Sequence, residues 1–248
     1  RSWADMQSPE TMNKPMLQGQ RTALVTGASS GIGAALARQL AADGWNLALV
    51  ARNEKRLELI ASDLRRQHAV NVEILAQDLA LPDAAQRILA WTRQNGRTVD
   101  LLVNNAGAGS SGPVIETDDA VYERLITLNI TSLTELSRLY AADMVRHGRG
   151  QILNVASTGA YQPGPYTAVY YAAKAYVHSF SLALAEELRG TGVLVSLLCP
   201  GATATEFSSR AGKADLSSAM PAAQVARAAV QGLWRRQRLI IPGFGNCV

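Results

Sequence analysis

The sequence predicts an α/β fold: one doubly wound, parallel sheet of about seven strands with helices on both faces. Three observations lead there. Short, nearly continuous apolar runs recur at 22–26, 47–51, 72–76, 101–103, 151–155, 193–198 and 239–241, as expected of strands covered on both faces. Segments with helical periodicity lie between them, and such alternation from end to end implies a parallel sheet. A glycine-rich turn joins the first strand to the first helix. The 248 residues are 48% hydrophobic and 18% charged, which suits one domain with a large core.

The first twenty residues carry Pro9, Pro15 and scattered polar groups, without the apolar stretch of a signal peptide. Residues 1–19 are expected to form a disordered extension, with Met12 and Met16 as candidate starts, and residues 20–248 to form the domain. The first strand ends in Thr26-Gly27-Ala28-Ser29-Ser30-Gly31-Ile32-Gly33, and a helix over 33–43 follows. Gly27 permits a tight turn, Gly31 lets backbone approach a pyrophosphate, and Gly33 lets the helix pack closely on the strand. The helix start then offers free N–H groups and a partial positive charge to an anion. Ser29 and Ser30 add hydroxyl donors, and Ile32 belongs to the same turn. A glycine turn can be purely structural. Here spacing, first-strand position and helix start coincide, which favours dinucleotide binding.

The second strand closes with Val50-Ala51-Arg52, and a helix over 54–67 buries Leu57, Ile60, Ala61 and Leu64 on one stripe. No carboxylate stands at the strand tip to hold a ribose 2′-hydroxyl. Arg52 instead offers a guanidinium suited to a 2′-phosphate, so NADP(H) is expected over NAD(H). Asp78-Leu79 follows the third strand. Asp78 either accepts from an adenine amino group, with Leu79 covering the ring, or caps a turn. The fourth strand closes with Asn104-Asn105-Ala106-Gly107.

Two long helical patterns run over 117–147 and 168–189, and a shorter one over 222–236. The second contains Tyr170-Tyr171-Ala172-Ala173-Lys174. Residues i and i+4 share a helix face, so the Tyr170 phenol and the Lys174 ammonium can point into one cleft. Tyr171 is turned about 100° away. A phenol of pKa about 10 needs to fall by about three units to exchange protons near neutrality, roughly 4 kcal/mol. A positive charge about 4 Å away supplies about that much at an effective dielectric of about 20.

Composition narrows the function. The net charge is +4, but no dense basic cluster interleaves with aromatics. Arg65-Arg66 and Arg235-Arg236 read as solvated helix faces, and no nucleic-acid partner is expected. Cys199 reads as a buried thiol and Cys247 lies next to the C-terminus. Without a disulfide framework, a reducing cytoplasm is expected. No apolar run approaches the ~18 residues of a membrane span, and no metal site is expected.

In these motifs the chain resembles the short-chain dehydrogenase/reductase family over about residues 20 to 243. The likeness rests on Thr26-Gly27-x-x-x-Gly31-x-Gly33, Asn104-Asn105-Ala106-Gly107, Asn129, Ser157, Tyr170-x-x-x-Lys174 and Pro200-Gly201, in order and at the family's spacing. Residues 53–57 and 197–201 are similar to an NADP-preferring branch with broad or undefined carbonyl and alcohol substrates. The resemblance implies a Rossmann-type fold and a catalytic tetrad of Asn129, Ser157, Tyr170 and Lys174. In it Tyr170 exchanges the proton and Ser157 steadies the substrate oxygen. Lys174 binds the nicotinamide ribose and lowers the phenol pKa. Asn129 distorts its helix locally and holds a relay water. The resemblance also puts Asn105, Ala106 and Gly107 against the cofactor, leaves Asn104 to the sheet, and puts Pro200, Gly201 and Thr203 or Thr205 near the carboxamide. It further implies a homodimer or homotetramer built on the two long helices.

The substrate wall is expected from 108–114, 158–167 and 203–219, which supply Tyr161, Tyr166 and Phe207. The last of these is expected to move and close on substrate. The expected partner is a small-molecule carbonyl or alcohol with an apolar body. Two rival functions share these motifs: a non-catalytic NADP-binding regulatory module, and a dehydratase or epimerase on the same fold.

Overall fold

The computed structural model describes residues 21–212 and 219–243. The expected N-terminal extension, Cys247 and residues 213–218 of the proposed substrate segment lie outside the described residues. Seven parallel strands form the main sheet: β1 (Thr22–Thr26), β2 (Asn46–Ala51), β3 (Val72–Ala76), β4 (Leu101–Asn104), β5 (Gly150–Val155), β6 (Val193–Leu198) and β9 (Leu239–Ile240), in the order β3-β2-β1-β4-β5-β6-β9. Two residue pairs, β7 (Thr203–Ala204) and β8 (Met220–Pro221), form a separate short ladder.

The central strands β1, β2 and β4 are buried on both faces. Ala23 and Val25 pack with Leu36, Leu40 and Val230 on one side, while Leu24 packs with Ile88, Leu136 and Met144 on the other. This is the period-2 alternation of a strand between two helical layers. The first layer comprises α1 (Gly31–Ala42), α2 (Glu54–Gln67) and α8 (Ala222–Trp234). The opposite layer includes α3 (Ala84–Gln94), α5 (Ser132–His147) and α6 (Ala168–Glu187). Truncating a fully buried leucine such as Leu24 to alanine would cost about 2–5 kcal/mol.

The strand order reverses between β1 and β4. A parallel sheet opens a crevice at such a point, beyond the carboxyl ends of the strands. The pattern predicted over 117–147 is not one helix. It divides into α4 (Asp119–Ile126), a single wide turn at Thr127–Thr131 where Ser132 N–H reaches back to the Thr127 carbonyl, and α5. Asn129 sits at the middle of that turn. Such i→i+5 bulges arise where a side chain must be aimed away from ideal helical direction. Among the described residues no helix is long and apolar enough to cross a membrane.

Candidate active site

A cleft of about 1350 Å³ opens at the switch point. Its floor is the turn between β1 and α1. Gly27 and Gly31 have φ of +65° and +56°, in the left-handed region that favours glycine. A Cβ on Gly33 would lie 2.4 Å from both the Gly27 carbonyl oxygen and Asn105 Nδ2. The residue type at 33 is therefore fixed by close approach of helix, turn and strand. Asn105 Nδ2 donates to the Thr26 carbonyl at 2.9 Å, and Thr26 Oγ1 accepts from Asn105 N and Ala106 N, both at 3.0 Å. Thr26 thus locks the turn to the end of β4, a role not assigned to it from the sequence.

Ser30 caps α1 in an extended conformation, makes no side-chain cap bond, and α1 has no acidic residue in its first turn. The helix start keeps unsatisfied donors directed at the cleft, which suits a phosphate. Ser29, Ser30, Gly31 and Ile32 line this part of the cleft. The cradle fits a dinucleotide pyrophosphate, because it couples free N–H groups with a turn packed too closely against Asn105, Ala106 and Thr205 to admit side chains at its glycines.

At the outer end, Arg52 lines the cleft and forms no ion pair with any described residue. Asn53 caps α2 by accepting from Arg56 N at 3.0 Å. Asp78 realises the turn alternative: Oδ1 accepts from Ala80 N at 3.0 Å, and Oδ2 pairs with Arg124 at 2.6 Å. Burial alone would raise its carboxyl pKa. Arg124, the Ala80 N–H and the field of Arg52 outweigh it and hold the group below the usual carboxylate range. Leu79 is buried among Ile88 and Leu136 while still reaching the cleft wall.

The inner end gathers the expected polar side chains. Ser157 follows β5 and accepts from Gly159 N at 3.1 Å, which fixes its side chain at the strand end. Tyr170 packs against Phe207, with ring centroids 5.4 Å apart. Lys174 is 4% exposed and donates to the Val155 carbonyl at 2.8 Å. Asn129 is buried and bonds both polar groups of Ala108: Nδ2 donates to the carbonyl at 2.8 Å and Oδ1 accepts from the N–H at 3.2 Å. Gly107 makes this convergence possible, since a Cβ there would lie 2.7 Å from Asn129 Oδ1 and 3.5 Å from Lys174 Nζ.

The electrostatics correct the simple charge argument for the phenol. Burial pushes Tyr170 up to about 12, against the opposing hydrogen bond of Ser157. Burial also brings Lys174 down to about 8. Lys174 Nζ lies 5.8 Å from the Tyr170 ring centre and is directed to Val155. Desolvation of both groups therefore dominates here over their mutual interaction.

Other placements follow from packing. Asn104 serves the sheet, donating to Ser137 Oγ at 3.0 Å and Asn154 Oδ1 at 2.9 Å. Thr203 Oγ1 donates to the Gly201 carbonyl at 3.0 Å, while Thr205 abuts Gly31. Both threonines line the cleft, Thr205 beside the glycine turn. Pro200 and Gly201 line the cleft beside Ser157. Tyr161 does not line the cleft. Its hydroxyl donates to Cys199 Sγ at 3.7 Å and its ring meets His178 edge-on. The aromatic walls are Phe207 and Tyr171 instead. Phe207 fits against Gly109, where a Cβ would be 3.1 Å from its ring.

The strand order and the cleft at its switch point define a Rossmann-type fold. More narrowly, the chain belongs to the short chain dehydrogenase family, whose sequence profile matches residues 21–215. It is 39% identical over 205 residues to a protein named granaticin polyketide synthase putative ketoacyl reductase 1 of Streptomyces violaceoruber, covering 82% of this chain and 73% of that one. It is 34% identical over 191 residues to the very-long-chain 3-oxoacyl-CoA reductase of Anas platyrhynchos, covering 75% of this chain but only 61% of the duck protein. The chain thus spans less than two thirds of the length of that reductase. A short-chain dehydrogenase from Sphingobium yanoikuyae, solved with NADPH, superposes with a TM-score of 0.86 at 39% identity, over 90% of this chain and 88% of that one.

Proposed function

We propose that the protein transfers hydride between NADP(H) and a carbonyl or secondary alcohol whose body is apolar. The observation that carries this reading is the convergence of Ser157, Tyr170 and Lys174 along a cleft whose floor is a glycine turn with free helix-start donors, with Asn129 buried behind Ala108 on the Lys174 side. When bound, the nicotinamide supplies the hydride. The chain supplies the proton and the orientation.

In reduction, Tyr170 gives its phenolic proton to the substrate oxygen, and Ser157 donates a hydrogen bond to the same oxygen. A phenol near 12 is fully protonated at neutral pH and so is loaded as the acid. Lys174 carries a proton that burial has made easier to lose. It holds the ribose hydroxyls and brings positive charge toward the phenolate that the reaction leaves. Asn129 Oδ1 spends one lone pair on Ala108 N and keeps another for a relay water beside Lys174. Arg52 takes the 2′-phosphate, the reason to prefer NADP(H). The Sphingobium relative holds NADPH, which agrees with that choice.

Gly27, Ser29, Ser30, Gly31, Ile32 and Gly33 hold the pyrophosphate. Asp78 and Leu79 flank the adenine, and Asn105, Ala106 and Gly107 flank its ribose. Pro200, Gly201, Thr203 and Thr205 line the nicotinamide side. The cleft exceeds the roughly 300–1,000 Å³ of an ordinary ligand pocket, leaving room for coenzyme and substrate together. Phe207, Tyr171 and Gly109 give the substrate end its apolar character. Both curated relatives carry ketoacyl or oxoacyl reductase names, consistent with a ketone on a long apolar body. Exposed Ile126 and Val145, and Tyr176 stacked on Phe180 at 5.8 Å, support pairing of two copies through α4, α5 and α6 in a homodimer or homotetramer.

The reading is tested by mixing the purified protein with NADPH and a panel of apolar ketones and aldehydes while following loss of the reduced coenzyme's absorbance. Turnover is expected, and its absence with every substrate would favour a non-catalytic binding module.

A further inference from the structure

Arg56 on α2 and Glu206 at the start of α7 (Glu206–Arg210) are 150 residues apart in sequence, yet they meet at 2.8 Å across the outer mouth of the cleft. Both line the cleft, together with Arg52. The two arginines differ in state. Arg52 forms no ion pair with any described residue, whereas Arg56 is held by a carboxylate from the opposite wall. The pair is solvent-accessible, with side chains 43% and 50% exposed. Exposed pairs are weak and exchange readily. A phosphate with three acceptor oxygens and up to two negative charges competes well for a guanidinium that a single carboxylate holds.

Resting on the coenzyme reading above, we propose that Glu206 is a specificity-determining residue that competes with the coenzyme 2′-phosphate for Arg56. NADPH must take Arg56 from Glu206 before its 2′-phosphate can use that guanidinium. NADH carries no 2′-phosphate and leaves the pair intact. Glu206 therefore narrows the gap in affinity that Arg52 opens between the two coenzymes. The effect belongs to the adenosine end of the cleft and touches neither Ser157 nor Tyr170.

The test measures dissociation constants for NADPH and NADH, by the fluorescence of the reduced coenzyme at low ionic strength. The proteins are the wild type, Glu206→Gln, Arg56→Gln and the double variant. Glu206→Gln is expected to tighten NADPH about two- to five-fold, the range of an exposed ion pair, with NADH unchanged. In the Arg56→Gln background that gain is expected to vanish. An equal change for both coenzymes, no change for NADPH, or a gain that persists without Arg56 would each overturn the proposal. Failure of the wild type to bind either coenzyme would instead overturn the coenzyme reading on which it rests.

Discussion

Lys174 and Tyr170 stand one turn apart on α6, yet the ammonium nitrogen lies 5.8 Å from the centre of the phenol ring and gives its short hydrogen bond to the Val155 carbonyl. The lysine is anchored to the end of β5 rather than to its helical neighbour. It is buried, and burial brings its pKa to about 8 from an ordinary value of 10.5.

That shift has a signed consequence for stability. Between about pH 8 and 10.5 the unfolded chain holds the Lys174 proton and the folded chain has released it. Stability from this group therefore rises with pH across that window, and the full cost of the buried charge is present below it. Lys174→Met removes the charge. Its stability relative to the wild type, measured by denaturant unfolding without coenzyme, is expected to be greatest near pH 7 and to decline toward pH 10.5. A difference independent of pH would contradict the burial argument. Activity is expected to be lost at every pH.

Ser157 both faces the expected substrate oxygen and holds the Tyr170 phenol down. Ser157→Ala is expected to reduce kcat by about 10²–10³, as for loss of one oxyanion donor. In alcohol oxidation, where the phenolate acts as base, the rise of rate with pH should move to higher pH. Rate profiles of wild type and variant over pH 6–10 check both points.

Gly33 illustrates a helix position that rejects a good helix former. Alanine gains about 1 kcal/mol of helix propensity. Its Cβ would meet the Gly27 carbonyl and Asn105 Nδ2 at 2.4 Å, however, and the carbonyl is backbone that cannot swing aside. Overpacking of about 1–3 kcal/mol then prevails. Gly33→Ala is expected to unfold at lower denaturant and to bind coenzyme at least tenfold more weakly.

Arg52 tests the coenzyme preference. A hydrogen bond to a charged group contributes about 1.5–3 kcal/mol, so Arg52→Ala is expected to weaken NADPH about 10- to 100-fold and NADH less than two-fold. Titration of both coenzymes decides it; equal losses would remove Arg52 from phosphate recognition.

Much of this was legible in the sequence, because strands buried on both faces announce themselves by composition. β1, β3 and β6 occur at the predicted residues, and β2, β4, β5 and β9 differ by a single residue at one end. α3 was not singled out, although Ala84, Ala85, Ile88, Leu89 and Thr92 form its buried stripe. Its start is unusual: Asp83 stands at the cap position, as a helix-start residue would, but has φ of +56° and makes no cap bond. The break within 117–147 escapes periodicity, since the wide turn over Thr127–Thr131 keeps helical backbone on both sides of it. Only the family resemblance pointed to a distortion there.

The site was legible where function depends on local spacing and illegible where it depends on encounter. The glycine turn and the Tyr170/Lys174 pair are short-range patterns. Asp78 with Arg124, Arg56 with Glu206 and Phe207 with Gly109 join residues 46 to 150 positions apart or on different walls. No local pattern announces such partners. The balance at the phenol is illegible for a related reason: one-dimensional spacing supplies the neighbouring charge but not the burial that opposes it.

The central claim is that the Tyr170 hydroxyl is the group that delivers the proton. Its most direct test is the rate of NADPH oxidation by an apolar ketone in wild type and Tyr170→Phe, with the coenzyme dissociation constant measured on the same samples. Loss of one phenolic oxygen is expected to lower kcat by at least about 10²-fold while coenzyme affinity stays within about two-fold. A Tyr170→Phe variant that reduced the ketone at the wild-type rate would contradict it.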